Sequence, residues 1–273
     1  MFVQRKNRNL LQAAFTTLAL IHHQTVYNIR MNDRNAVVGL LIAIFQSSFM
    51  SLAFFAMYYI LGVRASPVRG DFMIFILTGI FIFMTHVAAA GAVSGSGALT
   101  SGMTKHAPLN TAVLISGAAL ASLYKQMLSC LVILGFYHAA INPVELESWT
   151  GCLAMLILAW LSGCGMGMVF LSLRPWWPKG AKIITMIYQR VNMVASGKMF
   201  LANTIPTMML PYFAWNPLFH IIDQTRGFAF VNYMPQRTSL TYVLWFTAAV
   251  MMVGLMAEFV TRNRVSLSWS AGQ

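Results

Sequence analysis

Long apolar runs separated by short polar links set the pattern of this chain. The run from Asn35 to Val63 carries no charge, is bracketed by Arg34 and Arg64, and is long enough to cross a bilayer with some tilt. With that run counted as about 35–63, others at about 72–92, 110–137, 149–173, 181–205 and 239–259 predict six membrane-spanning helices in an all-α integral membrane protein. The N-terminal run differs. Arg5, Lys6 and Arg8 followed by LLQAAFTTLALI resemble the charged and apolar regions of a signal peptide, but His22, His23 and Gln24 stand where a small-residue cleavage site would be. At helical spacing Leu11, Phe15, Leu18, Val26 and Ile29 share one face and Gln12, Thr16, His23 and Arg30 the other, which predicts an amphipathic helix lying in the membrane interface. Residues 1–34 are therefore expected to form an interfacial segment, 35–260 the transmembrane domain and 261–273 a polar tail.

One stretch departs from the alternation of span and link. From Ala195 to Tyr233, Pro206, Pro211 and Pro217 each remove a backbone donor and disfavour helix in the residue before them. Beyond the break, Leu218, Ile221, Ile222 and Phe228 are interleaved with His220, Asp223, Gln224 and Arg226. A lipid-facing helix does not carry Asp223 and Arg226 three residues apart, because each charge costs several kcal/mol at the bilayer centre. Irregular backbone is tolerated at that depth only where protein or a water-filled cavity covers it. The pattern predicts a re-entrant helical hairpin over about 203–233 at the outer face, leading into the last span. An extracellular loop with proline turns is the plainer alternative. Either Asp223 and Arg226 pair, or each is held by neighbouring backbone; a buried charge without partners is not viable.

Composition narrows the class. The chain is 58% hydrophobic and 9% charged, with mean hydropathy +0.68, against about a quarter charged in an average soluble domain. The net charge of +12 raises nucleic acid as a partner, but the basic residues sit beside apolar runs rather than in one patch, so nucleic acid is excluded. Their distribution instead reports orientation. Arg5, Lys6, Arg8, Arg30, Arg34, Lys105, Arg174, Lys179, Lys182, Arg262 and Arg264 fall on one side of a six-span layout, and Arg64, Arg69, Arg226 and Arg237 on the other. Both termini are therefore expected in the cytoplasm.

Candidate chemistry is sparse. The tract GAVSGSGALTSG has glycines at Gly97 and Gly102 with the spacing of a phosphate-binding loop, but Met103 stands in place of the lysine that such a loop needs. Cys130, Cys152 and Cys164 lack metal or redox spacing and read as packing residues. Only six acidic residues are present, and neither a nucleophile triad nor a metal-ligand cluster appears. The chain is thus expected to bind no cofactor or metal and to catalyse no reaction. Glycine pairs at four-residue spacing, Gly91/Gly95 and Gly163/Gly167, would allow close helix approach. Lys125, Arg190 and Lys198 remain as cations inside predicted spans, where either a polar interior or snorkelling to an interface accommodates them.

The run WNPLFHIIDQTRG, from Trp215 to Gly227, resembles the signature near the end of ABC-2-type permeases, and most resembles those that export capsular polysaccharide and O-antigen in Gram-negative bacteria. Ser196-Gly197 and Pro206 upstream, and Asn232-Tyr233 downstream, fit the same pattern. Lys105-His106-Ala107-Pro108-Leu109-Asn110 is similar to a basic segment after the second span of such proteins. The match departs at Gln46-Ser47, where a Glu-Pro is usual. The resemblance implies a subunit of the bacterial inner membrane, present in two copies, above two copies of a separate ATPase that binds ATP and Mg. It implies that Arg30, Asp33, Arg34, Lys105, His106 and Pro108 contact that ATPase. Asn216, Pro217, His220, Asp223 and Arg226 would fix the hairpin, and Lys125, Tyr188, Arg190, Lys198, Phe200 and Tyr212 are candidates to line a route. The cargo implied is a polysaccharide or glycolipid, with a periplasmic co-polymerase or adaptor as a further partner beside membrane lipids. Export of a lipid, drug or other amphiphile is the alternative, and an ion-coupled carrier the more distant one. No inverted repeat is visible, and no intramembrane carboxylate is suited to the proton or sodium coupling that the carrier needs.

Overall fold

The computed structural model of the chain describes residues 10–31, 36–60, 68–96 and 111–270. Among these residues there is no strand. The helices are α1 (Leu10–Met31), α2 (Ala36–Ile60), α3 (Phe72–Ser96), α4 (Thr111–Ala140), α5 (Trp149–Leu173), α6 (Pro178–Ala195), α7 (Leu210–Ala214), α8 (Pro217–Ala229) and α9 (Leu240–Ser270), with a 3-10 turn at Ala202–Thr204. Five helices, α2, α3, α4, α5 and α9, are long and apolar enough to cross a membrane. The molecule is a multi-pass membrane protein.

Helix α3 is the centre. It packs on α5 most extensively, and also on α2, α4, α6 and α8, so residues from Ile74 to Met84 are almost all buried. Glycine makes the α3–α5 contact close. A Cβ on Gly163 would stand 2.4 Å from the His86 carbonyl oxygen, and one on Gly167 would stand 2.7 Å from the Val93 Cβ. The other pair with that spacing behaves differently. Among the described residues, a Cβ on Gly91 would meet only the Gln189 amide, and one on Gly95 would meet nothing within 4 Å. On the far side of α5, Gly165 and Gly254 bring α9 in, with Val250 and Met168 as their neighbours. Exposed tryptophans mark both ends of α5, Trp149 at its start and Trp176 and Trp177 just beyond its end, in keeping with the aromatic girdles of membrane proteins.

Two elements differ from the sequence-based expectation. The helix expected over about 181–205 stops at Ala195, and α6 is not among the five long apolar helices. Ser196 caps it, and Gly197 follows at φ 68°, the left-handed conformation that ends a helix and that glycine adopts without steric cost. Polar residues Lys179, Lys182, Gln189, Arg190 and Asn192 also dilute its apolar character. At the C-terminus, α9 continues to Ser270, through most of the segment expected as a tail.

Helix α1 docks on α4 by a polar face. Gln24 is buried against Gly117, where a Cβ would come within 2.6 Å of the Gln24 Cγ, while Phe15 and Leu18 point outward. Phe15 and Leu18, directed away from the bundle, suit a helix whose other surroundings are lipid, while Val26 and Ile29 turn toward α4.

Candidate functional site: a buried break between α6 and α9

The segment between α6 and α9 is organised around α8, which is buried from Pro217 to Asp223 and again at Thr225, Arg226 and Ala229. Asn216 starts it. Its side-chain oxygen accepts from the Leu218 N–H at 3.0 Å, as an N-cap does, and Pro217 occupies the first helical position, where its missing N–H costs nothing. The Asn216 amide donates to the Asn192 side chain and to the Ala195 carbonyl, both at 3.0 Å, and so ties the start of α8 to the end of α6.

One turn from the other end, Arg226 is fully buried and directs its guanidinium at the broken strip after α6. It donates to the carbonyls of Gly197 at 3.2 Å, Lys198 at 2.5 Å and Phe200 at 2.6 Å, and lies over the Phe75 ring at 4.0 Å. These carbonyls belong to irregular backbone after the end of α6, where Gly197 also accepts a backbone N–H, from Phe200, so the arginine supplies donors that a continuing helix would have supplied. Gly79 on α3 leaves room for this, since a Cβ there would lie 2.9 Å from the Lys198 carbonyl. Asp223 serves the same strip with the opposite sign. Its carboxylate accepts from the Ala202 N–H at 3.2 Å, the Tyr233 hydroxyl at 2.5 Å and the Thr238 hydroxyl at 2.8 Å. Backbone carbonyls thus receive Arg226, whereas Asp223 is held by one backbone N–H and two side-chain hydroxyls. The Tyr233 hydroxyl is pushed above its usual pKa by burial and then by its bond to Asp223.

His220 completes the knot. Its Nε2–H donates to the Ala214 carbonyl at 2.7 Å, and its Nδ1 accepts from the Ser239 N–H at 3.0 Å, an assignment that requires the neutral ring. Burial lowers its pKa, against smaller opposing effects of the Ala214 bond and the Asp223 charge. Asn203 adds a further tie, donating to the Met234 carbonyl at 2.9 Å. The start of α5 is pinned to the same unit, because the N–H groups of Ser148 and Glu147 donate to the carbonyls of Phe228 and Ala229 at 2.9 and 3.3 Å. A cleft of about 430 Å³ opens beside the last turn of α8, with Glu147, Gln224 and Asn232 in its wall. Asn216, Pro217, His220, Asp223 and Arg226 are thus one assembly.

The candidate route residues are dispersed. Lys198 is buried, and its ammonium lies over the Phe83 ring at 3.6 Å and the Phe54 ring at 5.0 Å, with no hydrogen-bond partner among the described residues. Lys125 is half-buried on α4, Arg190 is exposed on α6, and Tyr212 is exposed on α7. Phe200 packs edge-on to Phe213. Tyr188 hydrogen-bonds to Nε2 of His86 at 2.7 Å, and His86 Nδ1 meets the Ser162 hydroxyl at 2.9 Å and the Ala159 carbonyl at 3.2 Å. His86 is a buried, ionisable residue of α3 that sequence reasoning missed. Its only signal was a single titratable side chain in an otherwise apolar run. Of the residues expected at an ATPase contact, Arg30 is exposed on α1, while Asp33, Arg34, Lys105, His106 and Pro108 lie outside the described residues. Among the described residues, no three His, Cys, Asp or Glu side chains come together as metal ligands.

No family model matches the chain. Two proteins of Escherichia coli, each a polysialic acid transport protein KpsM, align with it over 205 residues at 25% and 24% identity, covering 72% of this chain and 76% of the relative. This chain is their distant homologue. The relation bears out the resemblance to capsule-export permeases read from the residues between Trp215 and Gly227.

Proposed function

We propose that this chain is the membrane subunit of an exporter that carries a lipid-linked polysaccharide, such as a capsular polysaccharide, across the bacterial inner membrane. The observation that carries this reading is the homology to a polysialic acid transport protein over 72% of the chain. ATP is hydrolysed by a separate subunit, since Met103 stands where the phosphate-binding lysine would be. Two copies of this chain enclose the path, and two ATPase subunits dock below, against the α1–α2 link and the segment around Lys105. Helix α6, about 27 Å long at 1.5 Å per residue, adds a sixth crossing that is finished by the irregular strip after Gly197. Both termini face the cytoplasm, as the eleven-to-four distribution of basic residues requires.

In this reading the α7–α8 unit is a re-entrant hairpin at the outer end of the path. Its burial and its hydrogen bonds support that role, because they let irregular backbone sit at membrane depth as one rigid piece. A rigid cap on α6 transmits movement of the spans to the exit without unfolding. Lys198, kept between two phenyl rings, is held ready for an anionic cargo rather than exposed to one in this state.

Deletion of the coding sequence tests the proposal. The expected result is loss of surface polysaccharide with polymer accumulating inside the cell, restored by the intact chain. Unchanged surface polysaccharide in the deletion strain, with altered export of a lipid or drug instead, would overturn the polymer assignment.

A further inference from the structure

Helices α1 and α4 pack along one another, most closely where α1 meets Gly117. Gln24 presses into Gly117, and one turn further along α4 a groove of about 580 Å³ opens between the two helices. That volume lies within the range of about 300–1,000 Å³ usual for sites that hold small molecules. Val26 and Ile29 of α1 and Leu120, Leu123 and Met127 of α4 form an apolar floor. His22, Arg30 and Tyr124 also line it, and among the described lining residues none is acidic. Arg30 is exposed and also borders a second cleft with His23, Val26 and Tyr27. Phe15 and Leu18, further back on α1, are exposed apolar side chains that continue the greasy surface.

We propose that this groove is a binding site for an anionic glycerophospholipid of the surrounding bilayer. The occupant follows from the combination of the apolar floor and the Arg30 charge. An acyl chain lies along Leu120, Leu123 and Met127, and the headgroup phosphate meets the Arg30 guanidinium, whose planar fork suits a phosphate oxygen pair. Among the described lining residues Arg30 brings a positive charge and no carboxylate opposes it, which favours a net negative headgroup over a zwitterionic one. Arg30 belongs to the N-terminal segment that the distribution of basic residues assigns to the cytoplasmic side, where juxtamembrane basic residues meet anionic lipid. Gly117 is the positioning element: any side chain there would push Gln24, and with it α1, off α4 and change the groove. A lipid so placed would bridge α1 to the bundle and fix its tilt.

The test uses the purified full-length chain alone, without ATPase or cargo, so that failure of the transport reading and failure of this one are separate. Lipid retention is read by native mass spectrometry after incubation with phosphatidylglycerol or phosphatidylcholine of matched acyl chains. The expected result is retention of phosphatidylglycerol over phosphatidylcholine by about fivefold or more, the scale of one basic side chain at a lipid surface. In Arg30→Gln that preference disappears, while in Leu123→Trp, which fills the floor, retention of both lipids falls. Melting temperature in detergent confirms that both variants are folded. Equal retention of the two lipids by the intact chain, or undiminished preference in Arg30→Gln, would overturn the assignment. Undiminished retention by a folded Leu123→Trp would do the same.

Discussion

Replacing Arg226 with Ala removes the only guanidinium among the α8 side chains and takes its three hydrogen bonds from the carbonyls of Gly197, Lys198 and Phe200, of which Gly197 keeps the Phe200 N–H. Hydrogen bonds inside membrane proteins average about 0.6 kcal/mol by double-mutant cycle, so three of them set a floor near 2 kcal/mol. Bonds to a charged donor in a protein interior run at about 1.5–3 kcal/mol each. Loss of the Phe75 face, at 4.0 Å, adds about 1–2 kcal/mol for a desolvated cation–π contact. Because the bonds share one donor group they do not add fully, and a loss of about 3–6 kcal/mol is expected. Arg226→Lys keeps the charge but cannot span three carbonyls with one ammonium, so it should recover less than half of that loss. Thermal melting of the purified chain in detergent measures the effect, and cysteine labelling at Phe200 reports whether the strip after α6 has come loose. Melting of Arg226→Ala within a degree of the parent, with Phe200→Cys still protected, would refute the reasoning. So would full recovery by Arg226→Lys.

Three further outcomes follow from the packing. Gly163→Val should destabilise by about 1–3 kcal/mol through overpacking at the α3–α5 contact, whereas Gly95→Val, which faces open space, should melt like the parent. The neutral His220 ring is favoured by folding, so its contribution is complete above the usual histidine pKa of about 6.5 and is lost as pH falls through the lowered folded value. Melting temperature should therefore drop on acidification below about pH 6.5, less steeply in His220→Gln. Lys198→Met should melt no lower than the parent, since it removes a desolvated ammonium, yet should lower export of an acidic polymer; a large fall in melting temperature would show that the ammonium is structural.

The sequence carried the parts of this fold that are local. Apolar runs gave α2, α3, α4, α5 and α9, and the prolines with Asp223 and Arg226 marked a break that needed cover. Ser196-Gly197 was present as a motif, but its meaning as the stop of α6 depends on a positive φ that hydropathy does not register. Contacts between distant positions were not legible. His86 meets Ser162 and Tyr188, 76 and 102 positions away, and no periodicity in α3 singles it out. Lys198 looked like a route residue because it is charged, while its cover comes from Phe54 and Phe83 on other helices. Gly91/Gly95 and Gly163/Gly167 share one spacing, yet only the second pair faces a neighbour closely along its whole length. Spacing gives a face of a helix; it does not give what that face meets.

The central claim is that this chain moves cargo only with energy from another subunit. Proteoliposomes containing the purified chain, with and without its partner ATPase, and loaded with ATP and polysaccharide on the cytoplasmic side, measure it directly. The account predicts neither ATP hydrolysis nor uphill transport by the chain alone, and both when the ATPase is present. Accumulation of polymer against its gradient by the chain alone would contradict it.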